Sequence, residues 1–369
     1  MSNLNRRKWL QLTGLASSAT LVPKSLWSTE TSFQADSTDH IARLSANENP
    51  LGPSKKMRDA VIAGFEEDCR YPFGKMNTLI EAIAKKEDVR QKQIVITGGS
   101  MEGLKAAGLT FGVHGGEIVA PDPTFQSLLS YAVQFGVHIN RVPLTAELQH
   151  DLEEMERRIS YDTKLVFLCN PNNPTGALID ALELRQFCER VSHKTIVFSD
   201  EAYYDYIEDA EYPSMIKLVK EGANVVVSRT FSKVYGIAGM RVGYLIARED
   251  IAARIRPYVM AYTNMPAIHA ALAALDDKEF YAKSLQHNSD AKKRIYDALE
   301  DVNLEYLPSH TNFVFFKTGR PISEVQKSFR DQGVQVGRPF PPLTNWCRVS
   351  TGLMHDVDKF VQALKHTFG

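Results

Sequence analysis

Short apolar runs rich in β-branched residues alternate with stretches of helical spacing along most of this chain. Runs at 93–97, 117–120, 138–142, 165–168, 195–199, 224–228 and 243–247 have the length and composition of strands. Amphipathic patterns at 55–67, 101–111, 125–135, 181–191 and 213–220 predict helices near or between them. Strands alternating with helices over this length predict an α/β fold, with a mostly parallel central sheet covered by helices. A long helical pattern over 265–300 then leads into a tail of mixed character, with strands at 312–316 and 347–350 and a closing helix at 357–368. The expected organisation is a large domain over 75–264 and a smaller α+β domain over 265–369. Residues 39–74 join the smaller domain or lie across the cleft.

Composition narrows the function classes. With 369 residues, 44% apolar and 24% charged, the chain can build a sizeable core. The formal net charge is −1 and no basic stripe stands out, so nucleic acid is not an expected partner. Cys69, Cys169, Cys188 and Cys347 are scattered, and the ten histidines form no metal-binding pair. No metal is expected.

The first residues change the picture. Arg6 and Arg7 precede a short, weakly apolar segment over 12–22, which resembles a twin-arginine export signal, and 28–39 reads as linker. Residues 1–38 are therefore expected to be signal and linker. Export to the periplasm follows, with no membrane attachment once the signal is removed; a basic tail on a cytoplasmic protein is the alternative. The export route carries folded proteins, which suits one that first acquires a cytosolic cofactor.

The chemistry-bearing residues sit at strand ends, where open sheets bind ligands. Thr97-Gly98-Gly99-Ser100-Met101-Glu102-Gly103 follows a strand and opens a helix, a ready anion site in its backbone N–H groups. A glycine-eased turn would look the same. The string at 169–176, Cys-Asn-Pro-Asn-Asn-Pro-Thr-Gly, could hold an asparagine amide at a fixed angle, and it is more specific than turn chemistry requires. Asp200 and Tyr203 follow the strand at 195–199; helix capping and core packing are their plainer uses. Lys233 lies in a glycine-containing loop behind Thr230 and Ser232, with Arg241 eight residues on. An amine able to form a Schiff base, an acid for a ring nitrogen and a phosphate cradle together describe pyridoxal phosphate chemistry. Arg348, on a late strand, suits an α-carboxylate, though a surface ion pair is an equal reading.

The order and spacing of Asn-Glu-Asn-Pro at 47, Tyr71-Pro72, the asparagine-proline string at 170, Asp-Glu-Ala-Tyr at 200 and Ser-Lys at 232 with Arg241 resemble one family. It is the fold-type I, pyridoxal-phosphate-dependent aminotransferases of the histidinol-phosphate aminotransferase-like group, and the resemblance runs from about Leu44 to the C-terminus. It implies that Lys233 holds the cofactor as a Schiff base and shuttles a proton, while Asp200 keeps the pyridine nitrogen protonated. Asn173 and Tyr203 would bond the phenolic oxygen, and Phe125 would stack on the ring. Gly99, Ser100, Met101, Thr230, Ser232 and Arg241 would cradle the phosphate, which Tyr71 would reach from a partner subunit in a homodimer with shared sites. Arg348, with Asn49 and Arg338, would bind substrate.

Two departures from the family pattern matter. Met101 replaces an acidic residue, so only a backbone contact can survive there. Val-Gly-Arg-Pro at 336 displaces Arg338 by one residue from the family's Val-Arg pattern, which points to a substrate different from or broader than histidinol phosphate. The expected reaction moves an amino group between an L-amino acid and a 2-oxo acid. A decarboxylase of the threonine-phosphate type would use the same Lys233. A nicotinamide oxidoreductase built on 93–122 lacks the fingerprint spacing. A non-catalytic cofactor binder would not need Lys233, Asp200 and Tyr203 together.

Overall fold

The structure, a computed structural model, describes residues 40–369; the expected signal and linker at 1–38 lie outside them. Residues 41–369 form one compact unit. Its strands are β1 (Ala42–Leu44), β2 (Ile94–Thr97), β3 (Gly116–Asp122), β4 (Val137–Pro143), β5 (Thr163–Cys169), β6 (Ile196–Asp200), β7 (Val225–Thr230), β8 (Gly243–Ala247), β9 (Tyr306–Leu307), β10 (Phe313–Lys317), β11 (Val334–Val336) and β12 (Trp346–Ser350).

Seven strands make one sheet in the order β2-β8-β7-β6-β5-β3-β4. The neighbours from β7 to β4 are parallel, and β8 alone runs antiparallel to both of its partners. The α/β expectation therefore holds. Residues such as Val166, Phe167, Val197, Phe198, Val226 and Val227 are fully buried, so the central strands carry continuous apolar runs rather than alternation. Separate apolar clusters cover the sheet's two faces. A third cluster packs β1, β10, β11 and β12 against Lys278–Asp301, Ile322–Asp331 and Met354–Phe368.

The seven strands of the large sheet lie where the apolar runs place them, to within a few residues. The pattern over 265–300 is two helices, Met265–Leu275 and Lys278–Asp301, because Asp277 leaves the helix and its side chain caps Phe280 N at 3.2 Å. Helices Phe73–Glu87 and Ile322–Asp331 and strands β1 and β11 were not among the expected elements. The two strands have three residues each and pair in parallel, Ala42 with Val334 and Leu44 with Val336. Among the described residues, no helix is long and apolar enough to cross a membrane.

Candidate active site

The motifs converge on one edge of the large sheet. β2, β3, β5, β6 and β7 all end there, and β8, running the other way, begins there. Gly243 opens β8 and is in register with both Thr97 and Thr230. A Cβ at Gly243 would press on Arg229 O and Ser100 N, each at 2.8 Å, so glycine lets the turn at 97–100 close against the end of β7.

That turn is shaped for an anion. Gly99 has φ +83°, and a Cβ there would collide with the Arg241 guanidinium. Ser100 begins the helix Ser100–Gly112, whose first N–H groups have no helical partner. Arg241, itself left-handed at φ +62°, donates to Ala238 O at 2.7 Å, Gly98 O at 3.2 Å and Ser232 Oγ at 3.4 Å. Thr230 Oγ1 accepts the Ser232 N–H at 3.1 Å. Gly99, Ser100, Thr230, Ser232 and Arg241 thus line one cradle. The Met101 side chain is exposed and offers it nothing polar. Replacing Gly99 with alanine forces a backbone region reserved for glycine, at a cost of about 1–3 kcal/mol, and displaces Arg241. The expected result is a roughly 10–100-fold weaker hold on the bound cofactor, measured as its equilibrium dissociation.

Two strands further in, Asp200 ends β6 between Cys169 and Ser228. It is 2% exposed and its Oδ1 has no hydrogen-bond partner among the described residues. Burial pushes its carboxyl up to about 7, against the pull of the Ala202 N–H and the Lys233 charge. Lys233 is pushed the other way, down to about 8, by burial and then by the Arg348 charge. Its Nζ donates to Asn47 O at 2.8 Å and lies 5.3 Å from the centre of the Tyr203 ring. The Tyr203 hydroxyl accepts from Asn47 Nδ2 at 2.9 Å.

The asparagines of the 170–176 string divide their work. Asn170 bonds Tyr212 and Ile179, and Asn172 bonds Thr124, Pro123 and Thr175. Asn173 accepts from Arg348 Nη1 at 2.7 Å through Oδ1, which leaves its amide nitrogen available. Arg348 also donates to Ser45 O at 2.8 Å, while its buried Nε has no partner among the described residues. Burial holds this guanidinium down at about 10, and among the described residues no carboxylate pairs with it. Phe125 is half-buried just beyond β3.

Three expected residues stand apart. Asn49 spends its side chain on Val234 O, Ser284 Oγ and Leu51 N, so the motif's first asparagine, Asn47, meets the amine instead. The sequence does not distinguish the two, since both lie in Asn47-Glu48-Asn49-Pro50. Arg338 is exposed; it stacks on Phe340, donates to Pro339 O and shares a small cleft with Arg348. Tyr71 is 78% exposed and makes no hydrogen bond to the cluster among the described residues.

These residues fit pyridoxal phosphate. The orphaned Asp200 oxygen needs a donor such as a protonated ring nitrogen, the glycine turn with Arg241 suits a phosphate, and a buried amine of lowered pKa suits a Schiff base. The comparisons agree. Residues 39–364 match the model of the family "Aminotransferase class I and II". The chain is 38% identical over 329 residues to the histidinol-phosphate aminotransferase of Moorella thermoacetica, covering 88% of this chain and 85% of that one. It is 34% identical to that of Geobacillus thermodenitrificans over 88% and 90% of the two chains. The crystal structure of histidinol-phosphate aminotransferase from Sinorhizobium meliloti in complex with pyridoxal-5'-phosphate superposes with a TM-score of 0.81 at 27% identity, covering 89% of this chain and 91% of that one. L-threonine-O-3-phosphate decarboxylase from Porphyromonas gingivalis, at 20% identity and a TM-score of 0.76, shares the fold alone. Fold, site chemistry and kinship together place this chain in the class I and II aminotransferase family, as a pyridoxal-phosphate-dependent enzyme.

Proposed function

We propose that this aminotransferase takes an L-amino acid by its α-carboxylate on Arg348 and moves the α-proton with Lys233. The observation that carries this reading is the pairing of a buried, partly orphaned Asp200 with a buried Lys233 whose pKa is pulled towards neutrality. When bound, the cofactor supplies an electron sink for the carbon that loses its proton. Asp200 would keep the ring nitrogen protonated, and Asn173 and Tyr203 would serve as donors to the phenolic oxygen. Phe125 would pack against the ring. Ser100, Met101 through its backbone, Thr230, Ser232 and Arg241 would hold the phosphate. With a pKa of about 8, Lys233 has an unprotonated fraction near neutral pH, so it can accept a proton and return it. Among the described residues Arg348 has no carboxylate partner, which supports its use on a substrate.

The relatives named above are histidinol-phosphate aminotransferases. Here Gly337 packs against Arg348 and the next arginine, Arg338, is turned onto Phe340 at the surface. That displacement supports a donor other than histidinol phosphate, or a wider range of donors. Mixing the purified enzyme with single amino acids and with histidinol phosphate, and following the cofactor's absorbance, tests the reading. Conversion by one donor with release of its oxo acid supports it; release of carbon dioxide instead would establish decarboxylation.

The large domain at 75–264 and the small domain at 265–369, with 39–74 bridging them, remain our reading of the organisation. A homodimer with shared sites belongs to the same reading. Tyr71, Phe73, Met260 and Tyr262 are exposed together, with Tyr71 stacked on Phe73 at 5.8 Å and Phe73 edge-on to Tyr262 at 5.2 Å. Such an apolar patch fits a second copy of the chain, and sedimentation as a monomer would exclude it. Arg6-Arg7 supports twin-arginine export to the periplasm. Replacing both with lysine should leave the enzyme in the cytoplasm.

A further inference from the structure

We propose that Asn47 is a positioning residue that orients the Lys233 amine through its carbonyl and fixes the Tyr203 hydroxyl as a donor through its side-chain amide. The proposal rests on the reading that Lys233 and Tyr203 meet the cofactor.

Asn47 is 2% exposed, and every polar group it has is in use. Its N–H donates to Ser350 Oγ at 2.8 Å, and the Ser350 hydroxyl donates back to Asn47 Oδ1 at 2.8 Å. With Oδ1 taken, the amide must present Nδ2 to Tyr203, where it donates at 2.9 Å. A hydroxyl that accepts a hydrogen bond on one side keeps its own hydrogen for the other. Ser350 thus selects the orientation of Asn47, and Asn47 that of Tyr203. The Asn47 carbonyl is fixed as firmly, since it accepts both Lys233 Nζ at 2.8 Å and Asn312 Nδ2 at 3.0 Å. The residue adopts φ +54°, the left-handed region that asparagine tolerates better than most side chains. Through β12 the assembly continues to Arg348, two residues before Ser350.

The charges around these groups are fixed by other elements. Lys233 faces the cations Arg348 and Arg241 and the carboxylates of Glu48 and Asp200. Tyr203 faces Arg348, Cys169 and Asp200. None of these is removed by changing Asn47; Asn47→Asp adds a carboxylate that itself favours the protonated form, so the uncharged Asn47→Gly and its loss of effect without Tyr203 read the side chain's contribution separately.

The test is a pH titration of the holoenzyme's visible absorbance, with thermal unfolding measured in parallel. Asn47→Asp keeps the shape but replaces the donor with an acceptor, so Tyr203 turns its hydrogen away from the cofactor. Asn47→Gly keeps the left-handed backbone and deletes the side chain. A lost donor to the phenolic oxygen favours the protonated form, so the midpoint should rise by about one pH unit in Asn47→Asp and by less in Asn47→Gly. In a Tyr203→Phe background the Asn47→Gly shift should disappear. A merely structural residue would lower the melting temperature and leave the midpoint in place. An unmoved midpoint in cofactor-loaded Asn47→Asp overturns the proposal. If that variant does not load, Ser350→Ala takes its place, with the same rise expected and the same unmoved midpoint overturning it. A wild-type enzyme without a titrating cofactor band would instead sink the underlying reading of Lys233.

Discussion

Lys233→Ala is expected to lower turnover by about 10⁴-fold or more and to abolish the visible band that titrates in the native enzyme. Two losses add. The protein no longer forms a covalent link to the cofactor's aldehyde, and the proton at the substrate's α-carbon has no nearby acceptor, a role worth about 10²–10⁴ by itself. Burial is what makes the residue suited to both. A surface lysine near pKa 10.4 carries almost no free amine at neutral pH, whereas Lys233 at about 8 carries roughly a tenth. The Asn47 carbonyl holds that amine beside Tyr203. Stopped-flow mixing with an amino donor, read by cofactor absorbance, checks the prediction. Retained rapid conversion would contradict the assignment of Lys233.

Asp200→Ala carries the second large effect. A buried carboxylate facing a protonated ring nitrogen stabilises the charge that develops during proton removal, and loss of one such partner costs about 10²–10³ in kcat. The same residue leaves a mark on stability. In cofactor-free protein the folded pKa of about 7 lies above the unfolded value near 3.9. Between those values the folded form binds the extra proton, so this group's contribution is fullest below about pH 4 and is lost as pH rises through 7. Thermal unfolding of the cofactor-free protein at pH 5 and pH 8 should therefore show a decline in the native chain that is smaller in Asp200→Ala. Equal declines, or near-native kcat in the variant, would count against the role.

Most of the large sheet was legible because parallel strands buried on both faces must be written as apolar runs, as in Val225-Val226-Val227. The site was legible for a related reason. Strand ends are where polar residues interrupt those runs, and Asp200, Thr230 and Thr97 mark the interruptions. What stayed hidden depends on contacts distant in sequence. β1 and β11 are three residues each, too short for a periodicity, and are held by each other and by the cluster beneath them. Asn47 and Asn49 are chemically identical in the sequence, and it is partners such as Ser350 and Tyr203 for one and Ser284 and Val234 for the other that tell them apart. The double helix behind 265–300 was missed because Asp276-Asp277 breaks the backbone without interrupting the polar face.

The bonds that tie the segment just after β1 to β12 have a consequence for the life of the chain. Asn47 reaches Ser350 across 303 residues of sequence, and Arg348 reaches Ser45 across the same span. During synthesis the first of these partners waits, exposed, until nearly the whole polypeptide has left the ribosome, since contacts of such separation form late. The orienting bonds around Lys233 therefore close only on a finished chain. A nascent or truncated product lacks the geometry to hold the amine in place, so mature cofactor chemistry is itself a report that the C-terminal strands have arrived.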